Sequence, residues 1–324
     1  MRELDSKDHK ILYQLFLNSR KSLSHIGKSV NLPKNVVKYR IDRLLEFGVI
    51  QNFNAMIDIF KLGYSVYRLY FVLQYASPEK EKEIIDYFVN YENTWNISSA
   101  KGRYDLTITI LVKNPNNFYA FYEKTLKLFR YYFKEISFTQ LYETFGYKHS
   151  VLFDESLTSN KKAYSYINDG QIANIDITDY KILYLLSKNS RISSIDIAKQ
   201  INITSPTVVS RMKKLIELGV IQKYSITIDT NKLGYKSFVV NLSLRNYDKK
   251  NQIINYLNNI PFIWAIHKAI GGCDLELNLF TANFEHFCIL MEDLRNKFPD
   301  DITNYDYLFV TKVHKTYVLP KKMQ

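Results

Sequence analysis

Apolar residues recur at helical spacing in three short segments near the start of the chain, and again in three segments past its midpoint. Ile11, Leu12, Leu15 and Phe16 make an i, i+1, i+4, i+5 stripe behind Asp5 and Asp8, whose charge suits the positive end of a helix dipole. Leu23, Ile26 and Val30 predict a second helix over about 22–30. Val37, Ile41, Leu44 and Leu45 predict a third over about 34–47, stopped at Gly48. Only Asn31-Leu32-Pro33 separates these two. The scheme returns as Ile182, Leu183 and Leu186, then Ile195, Ile197 and Ile201, then Val208, Met212, Leu215 and Ile216 before Gly219. There Thr204 is a good N-cap and Pro206 fits a first helical turn.

After each helical set the period changes from 3.6 to 2. Val66–Tyr75 reads as a strand, Pro78–Tyr91 as an amphipathic helix, Trp95–Lys101 and Tyr104–Lys113 as strands, Asn114–Tyr132 as a helix and Glu135–Tyr147 as a strand. Further on, strands are expected over Ser237–Asn246, Phe262–Ile270, Leu275–Thr281 and Ile302–Val318. Helices are expected over Lys249–Asn258 and Phe284–Phe298. Both runs give the order β-α-β-β-α-β, a ferredoxin-like arrangement. The fold class expected is α+β.

The two halves are copies. A shift of 171 places aligns Asp5–Tyr64 with Asp176–Tyr235 without a gap, with 28 identities in 60 positions. Asn18-Ser19-Arg20 meets Asn189-Ser190-Arg191, and Lys61-Leu62-Gly63-Tyr64 meets Lys232-Leu233-Gly234-Tyr235. Of the net charge of +12, residues 1–64 carry +5 and residues 176–235 carry +4. The excess belongs to the repeated helical module, which points to a polyanionic partner rather than to compositional drift.

A short helix, a tight turn and a longer helix with polar residues outward is helix-turn-helix geometry. The candidate DNA-facing residues are Lys34, Asn35, Lys38, Tyr39, Arg40 and Arg43 in copy one. In copy two they are Ser205, Thr207, Ser210, Arg211, Lys213 and Lys214. These side chains hydrogen-bond phosphates and base edges. The ordered pattern D-x-x-D-x-K-I-L, N-S-R, I-x-K-x-(V/I)-N, R-(I/M)-x-x-L-x-E-x-G-V-I and I-D-x-x-x-L-G-Y stands in both copies. It resembles the winged helix-turn-helix of the Lrp/AsnC, or feast/famine, transcription regulators. Pro33 departs from that pattern, because it replaces the usual Ser/Thr cap.

The resemblance implies two winged helix-turn-helix domains (1–64 and 173–235) and two ferredoxin-like RAM domains (65–150 and 236–324), with 151–172 as connector. It implies double-stranded DNA as partner and an amino-acid-like effector near the turn between two RAM strands. That turn is Gly102-Arg103-Tyr104-Asp105 in copy one and Gly271-Gly272-Cys273-Asp274 in copy two, so Gly102, Tyr104, Asp105, Gly271, Gly272 and Asp274 are the candidate effector residues. Glycine lets backbone N–H groups approach a carboxylate, and an Asp can meet an ammonium. RAM domains pair in the family, either within this chain or between chains.

Other chemistry is not signalled. Cys273 and Cys288 supply neither a disulfide framework nor a four-ligand zinc site, and no metal, cofactor or catalytic residue is expected. No phosphate-binding loop, dinucleotide fingerprint, nucleophile elbow or H-E-x-x-H occurs. No apolar run reaches the ~20 residues of a membrane span, and the charged start lacks a signal-peptide core, so a cytoplasmic protein is expected. The sirohaem decarboxylases resemble the same regulators and give the alternative reading, an enzyme; His149 and His314 near the two last strand ends are its nearest candidates.

Overall fold

The computed structural model describes residues 4–148, 152–153, 162–316 and 318–322. Copy one runs α1 (Ser6–Leu17), α2 (Leu23–Val30), α3 (Lys34–Glu46), β1 (Ile50–Ile57), β2 (Ser65–Leu73), α4 (Pro78–Asn90), β3 (Thr94–Gly102), β4 (Leu106–Val112), α5 (Pro115–Phe129) and β5 (Phe133–Tyr147). Strand β6 (Lys162–Ile167) follows. Copy two runs α6 (Ile177–Lys188), α7 (Ser194–Ile201), α8 (Ser205–Glu217), β7 (Ile221–Ile228), β8 (Lys236–Leu244), α9 (Lys250–Leu257), β9 (Ile263–Gly271), β10 (Leu275–Thr281), α10 (Phe284–Lys297) and β11 (Ile302–Lys315).

Local chemistry starts each helical set. Asp5 accepts from the backbone N–H of Asp8 while Asp8 reaches back to the N–H of Asp5, and Asp176 and Asp179 repeat this capping box. Ser22 and Ser193 cap α2 and α7. Both short helices end on an asparagine in the left-handed region, Asn31 at φ 54° and Asn202 at φ 57°, which turns the chain into the third helix. Thr204 caps α8 through its side chain, whereas Pro33 leaves α3 without a side-chain cap. Three residues expected inside are exposed: Leu45, Ile195 and Ile216. Each lies one or two helical steps from a fully buried neighbour (Leu44, Ile197, Leu215), and about 100° per residue turns it away from the narrow core stripe.

Eight strands close on themselves in the order β2-β4-β3-β11-β8-β10-β9-β5, with β5 returning to β2 and β6 added to the end of β5. Each copy contributes an antiparallel four-stranded sheet, and two cross-copy seams, β3–β11 and β5–β9, shut the barrel. Outward faces of the strands pack under α4 and α5 on one side and under α9 and α10 on the other. The intramolecular pairing of the two sheets is therefore built into the fold. Part of the expected connector is also regular structure: Lys162–Ile167 pairs with Glu143–Tyr147.

The helical modules are joined just as closely. Strands β1 and β7 pair antiparallel across the copies, with Asn54 opposite Ser225. Ile57, Ile59, Phe60, Leu62 and Tyr64 of copy one pack among Ile182, Leu183, Leu186, Val208 and Leu215 of copy two. Ile226, Ile228, Leu233 and Tyr235 of copy two pack reciprocally on the helices of copy one. Each three-helix core is completed by the other copy.

Candidate nucleic-acid interface

The repeated Asn-Ser-Arg motif lies on the two-fold axis relating the copies. Ser19 and Ser190, equivalent residues, touch through their hydroxyls at 2.7 Å and are fully buried. Arg20 Nη1 donates to the carbonyls of Ser190 (2.5 Å) and Ile192 (2.9 Å), and Arg191 donates to those of Ser19 and Lys21. Each guanidinium also lies over an aromatic ring of the β1–β7 ribbon, Arg20 over Tyr224 and Arg191 over Phe53. The lysines of the second repeated motif work across the same axis. Lys61 Nζ donates to the Leu218 carbonyl at 2.8 Å, at the C-terminus of α8, and Lys232 does the same for Phe47 at the end of α3. A cation there satisfies an orphan carbonyl and the negative end of the helix dipole. Thus each third helix is tethered to the opposite copy.

On α3, Lys34, Asn35, Lys38 and Tyr39 are exposed, and Lys38 Nζ pairs with Asp42 at 2.6 Å. Arg40 and Arg43, both expected to face DNA, make ion pairs within copy one. Arg40 Nη1 contacts Asp5 and Asp8 at 2.8 Å each, and Arg43 Nη2 contacts Asp8 at 2.6 Å. Asp8 is wholly buried, so two guanidinium groups neutralise it and pin α3 to the start of α1. Copy two repeats the arrangement: Arg211 pairs with Asp176 and Asp179, and Lys214 reaches Asp179 at 3.1 Å. The repeated D-x-x-D and the arginine 35 residues on are one structural clamp. Arginine and aspartate spaced identically in both copies was the available signal. Among the other copy-two candidates, Thr207, Ser210 and Lys213 are exposed, while Ser205 Oγ donates to Ser194 at 2.9 Å and joins α8 to α7.

The two turns expected to hold an effector are committed to the barrel seams. Gly102 has φ +124°, and a Cβ there would meet the Tyr307 carbonyl oxygen at 2.6 Å; Gly271, at φ +112°, would meet that of Phe138 at 2.9 Å. Asp105 Oδ2 accepts from the Leu73 N–H at 2.9 Å and Asp274 Oδ2 from the Leu244 N–H at 2.7 Å, so both carboxylates close strand ends. The Gly272 N–H donates to Phe138. Tyr104 is buried against Tyr70, and its counterpart Cys273 is buried too, its thiol pushed up by desolvation. The glycines serve close strand passage, and each aspartate uses one oxygen to cap backbone.

Inside the barrel lies a polar cluster that the sequence reading missed. Arg68 forms a buried ion pair with Glu276, and its Nε donates to Thr109 at 3.1 Å. Glu276 also accepts from Tyr70 at 2.5 Å and Asn278 at 3.1 Å. Burial is the largest influence on the Glu276 carboxyl and raises it, but Arg68, His267 and the hydrogen bonds from Tyr70 and Asn278 together hold the group below its ordinary value. Burial lowers His267 to about 4, leaving a neutral imidazole that shares a 2.8 Å hydrogen bond with Thr144. A Glu within the apolar run Leu275–Thr281 was the one visible hint. His314 Nε2 bonds Ser99 at 2.8 Å, and His149 lies outside the described residues. Among the described residues no helix is long and apolar enough to cross a membrane, and no cluster suits a metal ion.

Two helix-turn-helix modules, mounted back to back on one axis with their third helices outward, define a DNA-binding class of protein. Comparison with known proteins agrees. The family described as "Winged helix-turn-helix DNA-binding" matches residues 4–51 and 175–222. A Pyrococcus horikoshii HTH-type transcriptional regulator is 32% identical over 112 residues, 35% of this chain and 70% of that protein. The regulator LrpB of Bacillus subtilis is 29% identical over 144 residues, 44% of this chain but 93% of LrpB, so one copy here corresponds to nearly a whole relative. The siroheme decarboxylase NirDL shares the fold along 97% of this chain and 94% of its own, with a TM-score of 0.62 and 13% identity. The chain belongs to the Lrp/AsnC family of HTH-type transcription regulators.

Proposed function

We propose that this chain is a DNA-binding transcription regulator that carries both halves of a dimeric regulator in one polypeptide and reads two unlike half-sites. The observation that carries this reading is the divergence of the outward faces on a shared scaffold. Helix α3 offers Lys34, Asn35, Lys38 and Tyr39, whereas α8 offers Thr207, Val209, Ser210 and Lys213 at the corresponding surface. Asn pairs well with adenine and Lys with guanine, while the smaller groups of α8 suit phosphate contacts and weak base contacts. Copy one then supplies most of the direct readout. In this reading the two β-α-β-β-α-β units are RAM-type domains that serve as the pairing scaffold.

Selection of binding sites from random double-stranded DNA tests the reading. Two different half-sites about one helical turn apart, or a multiple of it, are expected. A perfect palindrome would show that the two faces read alike and would overturn it. Lys38→Ala should weaken binding and relax the base preference at one position of the copy-one half-site, leaving the copy-two half-site unchanged. A sirohaem-decarboxylase-like enzyme on the same fold is the competing reading. Titration with haem or sirohaem separates the two, because a saturable Soret shift belongs to the enzyme.

A further inference from the structure

A cavity of about 490 Å3 lies between the β1–β7 ribbon and the mouth of the barrel. Trp95, Trp264, Tyr164 and Tyr166 supply aromatic walls, and Thr144, His267 and Asn278 supply hydrogen-bonding groups on the barrel side. At the packing density of a protein interior, such a volume accepts on the order of 20 non-hydrogen atoms. That exceeds any single free amino acid.

The charges in this cavity are unequal. Arg68 is matched by Glu276, whose oxygens already accept from Arg68, Tyr70 and Asn278. Asp229, the one carboxylate in the lining among the described residues, accepts from the Asn231 N–H at 3.1 Å. Lys223 has no carboxylate partner among the described residues; it rests over the Phe16 ring, 3.9 Å from its centroid. Burial lowers Lys223 to about 8, so it remains mostly protonated at neutral pH. Among the described lining residues, the single carboxylate Asp229 stands against Lys223 and Lys312, so the balance favours an anion, which would meet the half-buried Lys223.

We propose that this cavity is a binding site for an aromatic, largely apolar molecule carrying one anionic group, with Lys223 meeting the anion and the Trp95 and Trp264 walls packing on the rings. The site lies away from the third helices and is assayed on free protein, so it stands or falls independently of DNA binding. The chain has two tryptophans, and both line the cavity, which makes intrinsic fluorescence a local reporter.

The probe is 8-anilinonaphthalene-1-sulfonate, an aromatic anion of matching size, compared with uncharged N-phenyl-1-naphthylamine. Both should quench tryptophan emission saturably, at one site per chain. Lys223→Met should weaken the sulfonate about ten-fold, as loss of a charge-assisted contact requires, and leave the neutral probe within about two-fold. Ser98→Phe, which fills the barrel side of the cavity, should abolish both. Far-UV circular dichroism and melting establish that each variant is folded, and Lys223→Gln serves if the Met variant is not. Quenching that never saturates, or equal sulfonate affinity in wild type and folded Lys223 variants, would overturn the proposal.

Discussion

Replacing Arg68 by Met should strand Glu276 in the barrel interior. The carboxylate is wholly inaccessible and the Arg68 side chain is only 8% exposed, so solvent screens neither. Removing one partner of a fully buried ion pair costs about 3–5 kcal/mol, because the survivor keeps its desolvation penalty without its compensation. At about 2 °C per kcal/mol for a chain of this size, melting at pH 7 should fall by roughly 6–10 °C. The pH dependence gives an independent check. In the native protein Glu276 is held below its ordinary 4.5, so its contribution to stability is present above that pH and fades as pH falls through the lower folded value. Without Arg68 the strongest lowering influence is gone, and burial, opposed only by His267 and the Tyr70 and Asn278 hydrogen bonds, moves the carboxyl upward. The variant is then penalised at high pH and recovers as the acid protonates. Calorimetric melting at pH 7 and pH 5 should show a narrower gap at pH 5. Adding Glu276→Gln, which keeps an acceptor for Tyr70 and Asn278, should recover most of the loss. A gap that is equal at both pH values, or below about 1 kcal/mol, would refute the reasoning.

Arg40→Ala should lower stability by about 1–3 kcal/mol by leaving buried Asp8 underpartnered, while the salt slope of DNA binding stays unchanged below the melting range. A reduced slope with unaltered melting would instead make Arg40 a phosphate contact. Gly102→Ala should cost about 2–4 kcal/mol, from the left-handed backbone and the clash with the Tyr307 carbonyl. Gly170→Ala is the control: at φ +79° with no neighbouring atom within 4 Å, it should lose about 1–2 kcal/mol from the backbone alone. Equal losses in thermal melts would show that the seam at Gly102 is not tight.

Much of this protein was legible because its signals are local. Capping aspartates, asparagine at the helix-turn-helix turn, apolar stripes at 3.6 spacing and alternation at 2 each act over a few residues, and nearly every predicted element is present. Leu45, Ile195 and Ile216 were misplaced because the stripe of a small helix is narrower than its apolar count suggests. The ion pairs of the third-helix arginines were not legible because periodicity reports only where a side chain starts, and Arg40 is long enough to fold back to Asp5 and Asp8.

The sequence by itself determined the duplication, the two helix-turn-helix modules, the β-α-β-β-α-β order and the divergence of the two outward faces. Only the tertiary structure decided what the repeated motifs are for. Ser19 meeting Ser190, Lys61 capping α8 and Lys232 capping α3 are contacts between residues far apart in the chain, and no local pattern encodes them. The same holds for the barrel. Arg68 stands where copy two has Val239, so the Arg68–Glu276 pair is one-sided, which two identical subunits could not arrange. A fused chain escapes that symmetry, since each side of the axis is a separate stretch of sequence. The pairing of unlike residues across the axis is fixed by closure of the sheet, and closure is a property of the whole chain.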